Sequence, residues 1–125
     1  MKMTPYQHNL LTTKYTTVYY DEDSINFNAP HHFMVTKTEK NEEGQRELLS
    51  DIYFQCGPIK EHGVNGVNNE DLIAMVIMRL QCFQNSDYNC RENALAITKL
   101  EEALLWLRAR TMGREKRNVE GTSEV

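Results

Sequence analysis

Residues 69–83, NEDLIAMVIMRLQCF, and residues 91–111, RENALAITKLEEALLWLRART, decide the fold class of this chain. In both stretches apolar residues recur about every 3.6 positions, as on one face of an α-helix. Asn68 or Asn69 can cap the first helix, and five polar residues at 85–89, NSDYN, join it to the second. So short a connection predicts an antiparallel helix hairpin.

The chain before residue 60 has the composition of β-structure. Thr, Tyr, Val, Phe and Ile dominate short stretches at 16–20, 24–27, 32–38 and 48–54, which we predict to be strands. Polar turns between consecutive strands predict an antiparallel meander. The fold class is therefore α+β: an N-terminal antiparallel sheet followed by a C-terminal antiparallel helix pair. We expect a single domain over 1–125, with a β-rich part at 12–60, the helix hairpin at 68–117 and a tail at 118–125.

Composition limits what the chain can be. It has 125 residues, of which 40% are hydrophobic. So few apolar residues form only a small core, which favours stabilisation by oligomerisation. No run approaches the roughly 20 apolar residues of a membrane span, and the N-terminus lacks the apolar core of a signal peptide. We therefore expect a cytoplasmic protein without a membrane partner. Cys56, Cys82 and Cys90 form no C-x-x-C motif, which predicts reduced thiols, with Cys82 buried in the first helix.

A cluster of cations at the end of the second helix contrasts with the rest of the chain. Residues 108–117 hold four arginines and Lys116 against Glu115, a charge of +4, so with a total of −4 the remainder carries −8. Such a confined cluster suits a small anionic ligand, whereas polymeric nucleic acid would require a broader basic surface. The four arginines of this arginine cluster are Arg108, Arg110, Arg114 and Arg117.

Helical geometry separates the members of the arginine cluster. With 100° per residue, Arg110, Arg114 and Arg117 fall on the side that continues the apolar stripe, and Arg108 points away. Arginine grips phosphate with two parallel hydrogen bonds, which favours a phosphate pocket. Cations also suit any solvated helix C-terminus, and this alternative stays open. Gly113 is expected to weaken or end the helix, leaving Arg114 and Arg117 on a frayed last turn.

Phe83 and Asn93 lie at the loop end of the predicted hairpin. Phe83 is either a core aromatic or a face on which a base can stack. Asn93 either caps the helix or hydrogen-bonds a base edge or a ribose. Arg110 lies about 25 Å from Asn93 at 1.5 Å per residue. One ligand that contacts both ends would therefore need two chains packed head to tail.

The loop before the first helix is a further candidate anion site. Asn65 and Gly66 belong to a Gly-rich segment that either forms a turn or offers backbone amides to an anion. It is not a Walker A loop, because no Gly-Lys-Ser/Thr follows. Catalytic motifs are missing as well, and His31-His32 has no obvious third ligand, so we predict no catalytic residues, no metal site and no cofactor.

The second half of the chain carries a run of short motifs. They are FQCGPIKEHGVNGV at 54–67, EDL at 70–72, RLQCFQ at 79–84, RENAL at 91–95, LEEAL at 100–104, Arg110-Thr, Arg114 and VEGT at 119–122. With these motifs the chain resembles the phage Thoeris anti-defence sponge family, first-member type, over roughly residues 53–122. The C-terminal half is also similar to the smaller anti-CBASS cyclic-nucleotide sponges.

The resemblance implies a non-enzymatic trap for cyclic nucleotide immune signals. It implies that the chain sequesters glycocyclic ADP-ribose isomers in the cytoplasm of the host bacterium, and cyclic trinucleotides are a further candidate ligand. Dimers that assemble into hexamers would place pockets between chains. Phe83 would stack an adenine, Asn93 would hydrogen-bond the ligand, and Arg110 with Arg114 would meet phosphate. The alternatives are a protein-binding inhibitor of a host factor and a phosphodiesterase-like enzyme.

Overall fold

A computed structural model describes all residues, 1–125, and divides them into two compact units. The sheet unit comprises Met1–Gly66, and the hairpin unit comprises Val67–Val125. The predicted α+β order is confirmed: a four-stranded antiparallel sheet precedes the helices of the hairpin unit. No helix is both long enough and apolar enough to cross a membrane.

The strands of the sheet lie side by side in chain order, each antiparallel to the next. This arrangement confirms the predicted meander. Asn41 begins the turn between the last two strands, where its Oδ1 accepts hydrogen bonds from two backbone amides and Gly44 takes a positive φ of 78°. The strands are β1 Met3–Pro5, β2 Thr16–Asp21, β3 His32–Lys40 and β4 Arg46–Tyr53.

The predicted strand at 24–27 is wrong. A 3-10 turn occupies Glu22–Ser24, and Phe27 and Asn28 take left-handed φ angles of 50° and 71°, which a continuous strand cannot contain. The Ser24 hydroxyl stabilises the turn by donating to the Asp21 carbonyl and accepting from the His31 and His32 amides. Strand β1 was not predicted, since three residues ending in proline give no alternating pattern.

Two long helices form the hairpin unit and pack against each other. Helix α2 spans Asn69–Gln84 and α3 spans Arg91–Lys116, and a short α1 at Ile59–His62 precedes them in the sheet unit. Asn68 caps the N-terminus of α2, and its backbone amide donates to the Asp71 carboxylate at 2.8 Å. The helix pair is as predicted, but α3 does not end at Gly113. It continues by one further turn, so that Arg114 is helical and Arg117 is the C-cap residue.

Few apolar side chains are buried in a single chain. Ile77 on α2, at 8% exposed, is the one apolar residue that is almost fully buried, while Leu105, Trp106 and Met112 of α3 are more than half exposed. The prediction that Cys82 is buried is wrong, because its side chain lies on the exposed side of α2.

Candidate functional site

The loop end of the hairpin unit combines an accessible aromatic ring with a cation. Phe83 lies in the last turn of α2 and is 36% exposed. The Arg79 guanidinium, one helical turn earlier, lies 5.4 Å from the centroid of the Phe83 ring. The exposed Tyr88 meets the same ring edge-on, with a centroid distance of 6.4 Å and an interplanar angle of 82°. Phe83 is therefore a partly open ring in a polar surrounding, not a buried core residue.

Asn93 stands in the first turn of α3, at the same end. Its backbone amide donates to Cys90 Sγ at 3.4 Å, so Cys90, and not Asn93, caps this helix. The half-buried carboxamide of Asn93 makes no hydrogen bond within the chain and remains available to a ligand.

Two reciprocal hydrogen bonds between Gln84 and Cys90 hold Phe83 and Asn93 in place. The Gln84 carboxamide donates to the Cys90 carbonyl and accepts from the Cys90 amide, both at 2.9 Å. Ser86 adds a 2.6 Å hydrogen bond from its hydroxyl to the Phe83 carbonyl. Because these bonds tie the end of α2 to the start of α3, Phe83 and Asn93 are held at one end of the hairpin unit.

Three members of the arginine cluster already have partners in the chain. Arg114 Nη2 donates to the carbonyls of Val119 and Thr122, at 3.1 and 3.0 Å, and so holds the C-terminal turn against the helix. Arg117 Nη1 donates to Val125 at 2.7 Å. Arg108 Nη1 lies 3.0 Å from Glu115 Oε1, in an exposed ion pair.

Arg110 is the member of the cluster without a partner. Its side chain is exposed and makes no hydrogen bond or ion pair within the chain. Continuous helix joins it to Asn93, so the two residues are about 25 Å apart along the axis of α3. The hairpin unit thus offers a ring, a cation and an amide at one end, and an uncommitted guanidinium near the other.

Asn65 and Gly66 lie in the sheet unit, and their local contacts are structural. Asn65 Oδ1 accepts from the Cys56 amide and Nδ2 donates to the Cys56 carbonyl, both at 2.8 Å. A Cβ at Gly66 would collide with the backbone of Tyr53 and Phe54. The polar atoms of the Asn65 side chain are therefore engaged, and a ligand role for these two residues stays a prediction.

The two adjacent histidines do not act as a pair. His31 Nε2 lies 2.7 Å from the Asn26 carbonyl oxygen, whereas His32 is 4% exposed and lies between two carboxylates. Its Nδ1 is 3.0 Å from Asp21 Oδ2 and its Nε2 is 2.5 Å from Asp51 Oδ1. No group of three His, Cys, Asp or Glu side chains in the chain is arranged to hold a metal ion.

The carboxylates determine the charge of His32. Desolvation by burial lowers the pKa of His32, but hydrogen bonds to Asp21 and Asp51 and the charges of both residues outweigh it, so the pKa is raised. The hydrogen bond from His32 is in turn the main reason why the pKa of Asp21 is lowered. Since neutral imidazole has one N–H and imidazolium has two, only the protonated ring donates to both carboxylates.

Sequence reasoning missed Arg79, Tyr88 and Gln84. The spacing of Arg79 and Phe83 is i,i+4, which brings two side chains together on one helix face and was a usable signal. Tyr88 and Gln84 depend on the conformation of the connection between the helices, for which the sequence has no periodic pattern.

A family model and a phage protein are similar to this chain in sequence. The family model described as "Acb2/Tad1, hairpin domain" matches residues 47–112, which include α2 and most of α3. The chain is also 52% identical to "Thoeris anti-defense 1" of Bacillus phage SBSphiJ7 over 140 aligned positions, which cover 94% of this chain and 96% of the relative. The chain therefore belongs to the Acb2/Tad1 hairpin family.

Proposed function

We propose that this chain is a non-enzymatic sponge that acts against bacterial Thoeris defence. It binds glycocyclic ADP-ribose isomers, sequesters them unchanged, and does so in the cytoplasm of the host bacterium. The name of the 52% identical phage relative supports the target, since that protein is called a Thoeris anti-defence protein.

One observation carries the proposal: the accessible Phe83 ring lies beside the Arg79 guanidinium and on the same hairpin end as the uncommitted Asn93 carboxamide. Base stacking on an aromatic ring contributes about 1–3 kcal/mol, a nearby guanidinium attracts phosphate, and the amide can read a base edge or a ribose hydroxyl. These side chains recognise a nucleotide without an obvious acid–base pair for cleaving it.

Assembly completes the site in this proposal. Arg110 has no partner in its own chain and is too far from Asn93 to share a small ligand with it. Two chains packed head to tail would bring Arg110 of one chain to Phe83 of the other. We propose a dimer that associates further to a hexamer, with ligand pockets between chains and cyclic trinucleotides as a second ligand class.

The test is calorimetric titration of the purified chain with glycocyclic ADP-ribose, followed by heat denaturation and mass spectrometry of the released ligand. We expect saturable binding and recovery of unchanged ligand. Phe83→Ala should weaken binding about tenfold or more, because the stacking face is lost. Tyr15→Ala is the control, since it removes another exposed aromatic side chain, in the sheet unit. Absence of binding, or recovery of a cleaved product, contradicts the proposal.

A further inference from the structure

One hydrogen-bonded group of side chains in the sheet unit is centred on the buried His32. Hydrogen bonds from its two ring nitrogens run to Asp21 on β2 and to Asp51 on β4, the strands on either side of β3. An imidazole held in two directions by charge-assisted hydrogen bonds cannot rotate without breaking one of them. The plane of the His32 ring is therefore fixed relative to three strands.

The ring of Tyr53 lies flat on this fixed imidazole. Tyr53 pairs directly with His32 across β3 and β4, and their ring centroids are 4.1 Å apart with an interplanar angle of 5°. Yet Tyr53 remains 56% exposed. An aromatic ring that is already immobilised loses little conformational entropy when a planar molecule stacks on it.

The surroundings of Tyr53 determine which planar molecule would fit. Tyr53 lines an open cleft of about 470 Å³, with Asp21, Asp23 and Asn26 among the other lining residues. No lysine or arginine lines this cleft, and its cationic groups are already paired: the amino group of Met1 with Asp23 at 3.2 Å, and the His32 imidazolium with Asp21 and Asp51. Asp51, two positions before Tyr53 on the same strand face, adds a partly exposed carboxylate. Carboxylates accept hydrogen bonds from hydroxyl and amino groups and repel phosphate.

We propose that the exposed face of Tyr53 is a binding site for a nucleoside: a planar heteroaromatic base with a hydroxyl-bearing sugar and no phosphate. The base stacks on Tyr53, and the hydroxyl or amino groups donate to the carboxylates of Asp51 and Asp23. This site lies wholly in the sheet unit and prefers an uncharged ligand, so it is separate from the site proposed around Phe83.

The test is a titration of the isotope-labelled chain with adenosine, in which amide NMR chemical shifts report the binding. We expect saturable shifts at Tyr53, His32 and Asp51 with a dissociation constant in the range of about 1 mM or below. Adenosine monophosphate should bind at least about fivefold more weakly, because its phosphate would lie near the carboxylates of Asp21 and Asp23 that line the cleft.

Matched variants connect the shifts to the ring of Tyr53. Tyr53→Ala should weaken adenosine binding about tenfold, whereas Tyr53→Phe should retain it, since stacking does not need the hydroxyl. Tyr15→Ala removes a tyrosine that is 72% exposed and is not among the lining residues of the cleft, so it should bind as the parent does. Phe83→Ala should also retain nucleoside binding, so failure of the sponge proposal and failure of this one are distinguishable.

Three results would overturn the inference. The first is the absence of saturable shifts at Tyr53 up to about 10 mM adenosine. The second is equal or tighter binding of adenosine monophosphate. The third is loss of adenosine binding in Tyr53→Phe that equals the loss in Tyr53→Ala, because an aromatic face would then not be what binds the ligand. Circular dichroism of each variant establishes that the variant is folded.

Discussion

Arg110 and Arg114 are identical side chains one helical turn apart, but the chain uses them differently. Arg114 holds the carbonyls of Val119 and Thr122, whereas Arg110 is unengaged. A guanidinium that already donates to carbonyls must break those bonds before it can bind phosphate, and a free one need not. At the scale of single residues, Arg110 is therefore the better candidate for ligand contact.

Replacement of Arg110 by alanine tests this difference. We expect Arg110→Ala to weaken glycocyclic ADP-ribose binding by about 10- to 100-fold, the size of one charge-assisted hydrogen bond, with little change in melting temperature. Arg108→Ala is the control, because it removes the same charge from an exposed ion pair. If only trinucleotide binding is lost, Arg110 belongs to a second kind of pocket. Equal losses of affinity in both variants would show that the overall positive charge, and not a contact made by Arg110, causes the effect.

The Asp21–His32–Asp51 group predicts a pH-dependent stability. The raised pKa of His32 means that its contribution is fully present below the unfolded value of 6.5 and is lost as the pH rises through the folded pKa. The lowered pKa of Asp21 acts at the acid end: its contribution is present above the unfolded value of 3.8 and is lost as the pH falls through the folded pKa. The melting temperature of the chain should therefore decline from near neutral pH upward.

Thermal unfolding between about pH 5 and about pH 9 measures this decline. His32→Gln should melt at least about 4 °C lower at the acid side of that range and should lose the decline. His8→Gln, at an exposed histidine, should keep the parent profile. A His32→Gln profile that parallels the parent would show that another group causes the pH dependence.

At the scale of elements, Gly113 is the residue at which α3 departs from expectation. The helix continues through it, its φ is not positive, and a Cβ built there meets nothing within 4 Å. Gly113→Ala should therefore stabilise the chain by about 0.5–1 kcal/mol, since alanine favours helix and restricts the unfolded chain. Urea unfolding followed by circular dichroism measures the change.

Gly44 gives a matched control for the same chemical change. A Cβ at Gly44 also meets nothing within 4 Å, but its φ is +78°, a conformation that alanine adopts only with strain. Gly44→Ala should therefore destabilise by about 1 kcal/mol. If both variants change stability in the same direction, backbone conformation is not what distinguishes the two sites.

The elements themselves show what the sequence could predict. The helix pair followed from apolar residues at a 3.6 spacing, a signal repeated over several turns. The end of α3 did not follow, because the cost of one glycine, about 1 kcal/mol, is small beside the contacts of a long helix. The 24–27 segment has β-forming residues, yet the Ser24 hydroxyl and the left-handed Phe27 and Asn28 form a turn.

For the candidate site, the sequence located side chains but not their partners. Phe83, Asn93 and Arg110 were identifiable as residue types at particular helical positions. That Arg114 binds backbone carbonyls of the tail was not predictable, because every residue carries a carbonyl and the pairing depends on how the tail turns. The histidine–tyrosine stack was also missed, since strand register brings His32 and Tyr53 together from distant parts of the sequence.

At the scale of the whole molecule, exposed apolar surface predicts association. Trp106 is 68% exposed, and Leu105 and Met112 of the same helix are also open to solvent. Apolar surface of this kind commonly marks a protein interface. We therefore expect the purified chain to be larger than a monomer, and Trp106→Glu to lower the measured mass by placing a charge in the interface.

Light scattering after size-exclusion chromatography measures this mass. Lys99→Ala on the same helix, at a highly exposed and weakly paired position, should leave it unchanged. A parent chain that is monomeric at micromolar concentration would remove the basis for pockets between chains and, with it, the proposed role of Arg110.

The unbroken length of α3 has an evolutionary consequence. Each residue inserted between Asn93 and Arg110 would turn one relative to the other by about 100° and move it by about 1.5 Å. Substitutions along this 26-residue helix can accumulate singly, but insertions or deletions of one or two residues would rotate Arg110 away from the neighbouring chain of the proposed head-to-tail assembly. Homologous sequences should therefore differ freely in side chain at many α3 positions. The number of residues between Asn93 and Arg110, which is 16 here, should stay constant or change by whole heptads.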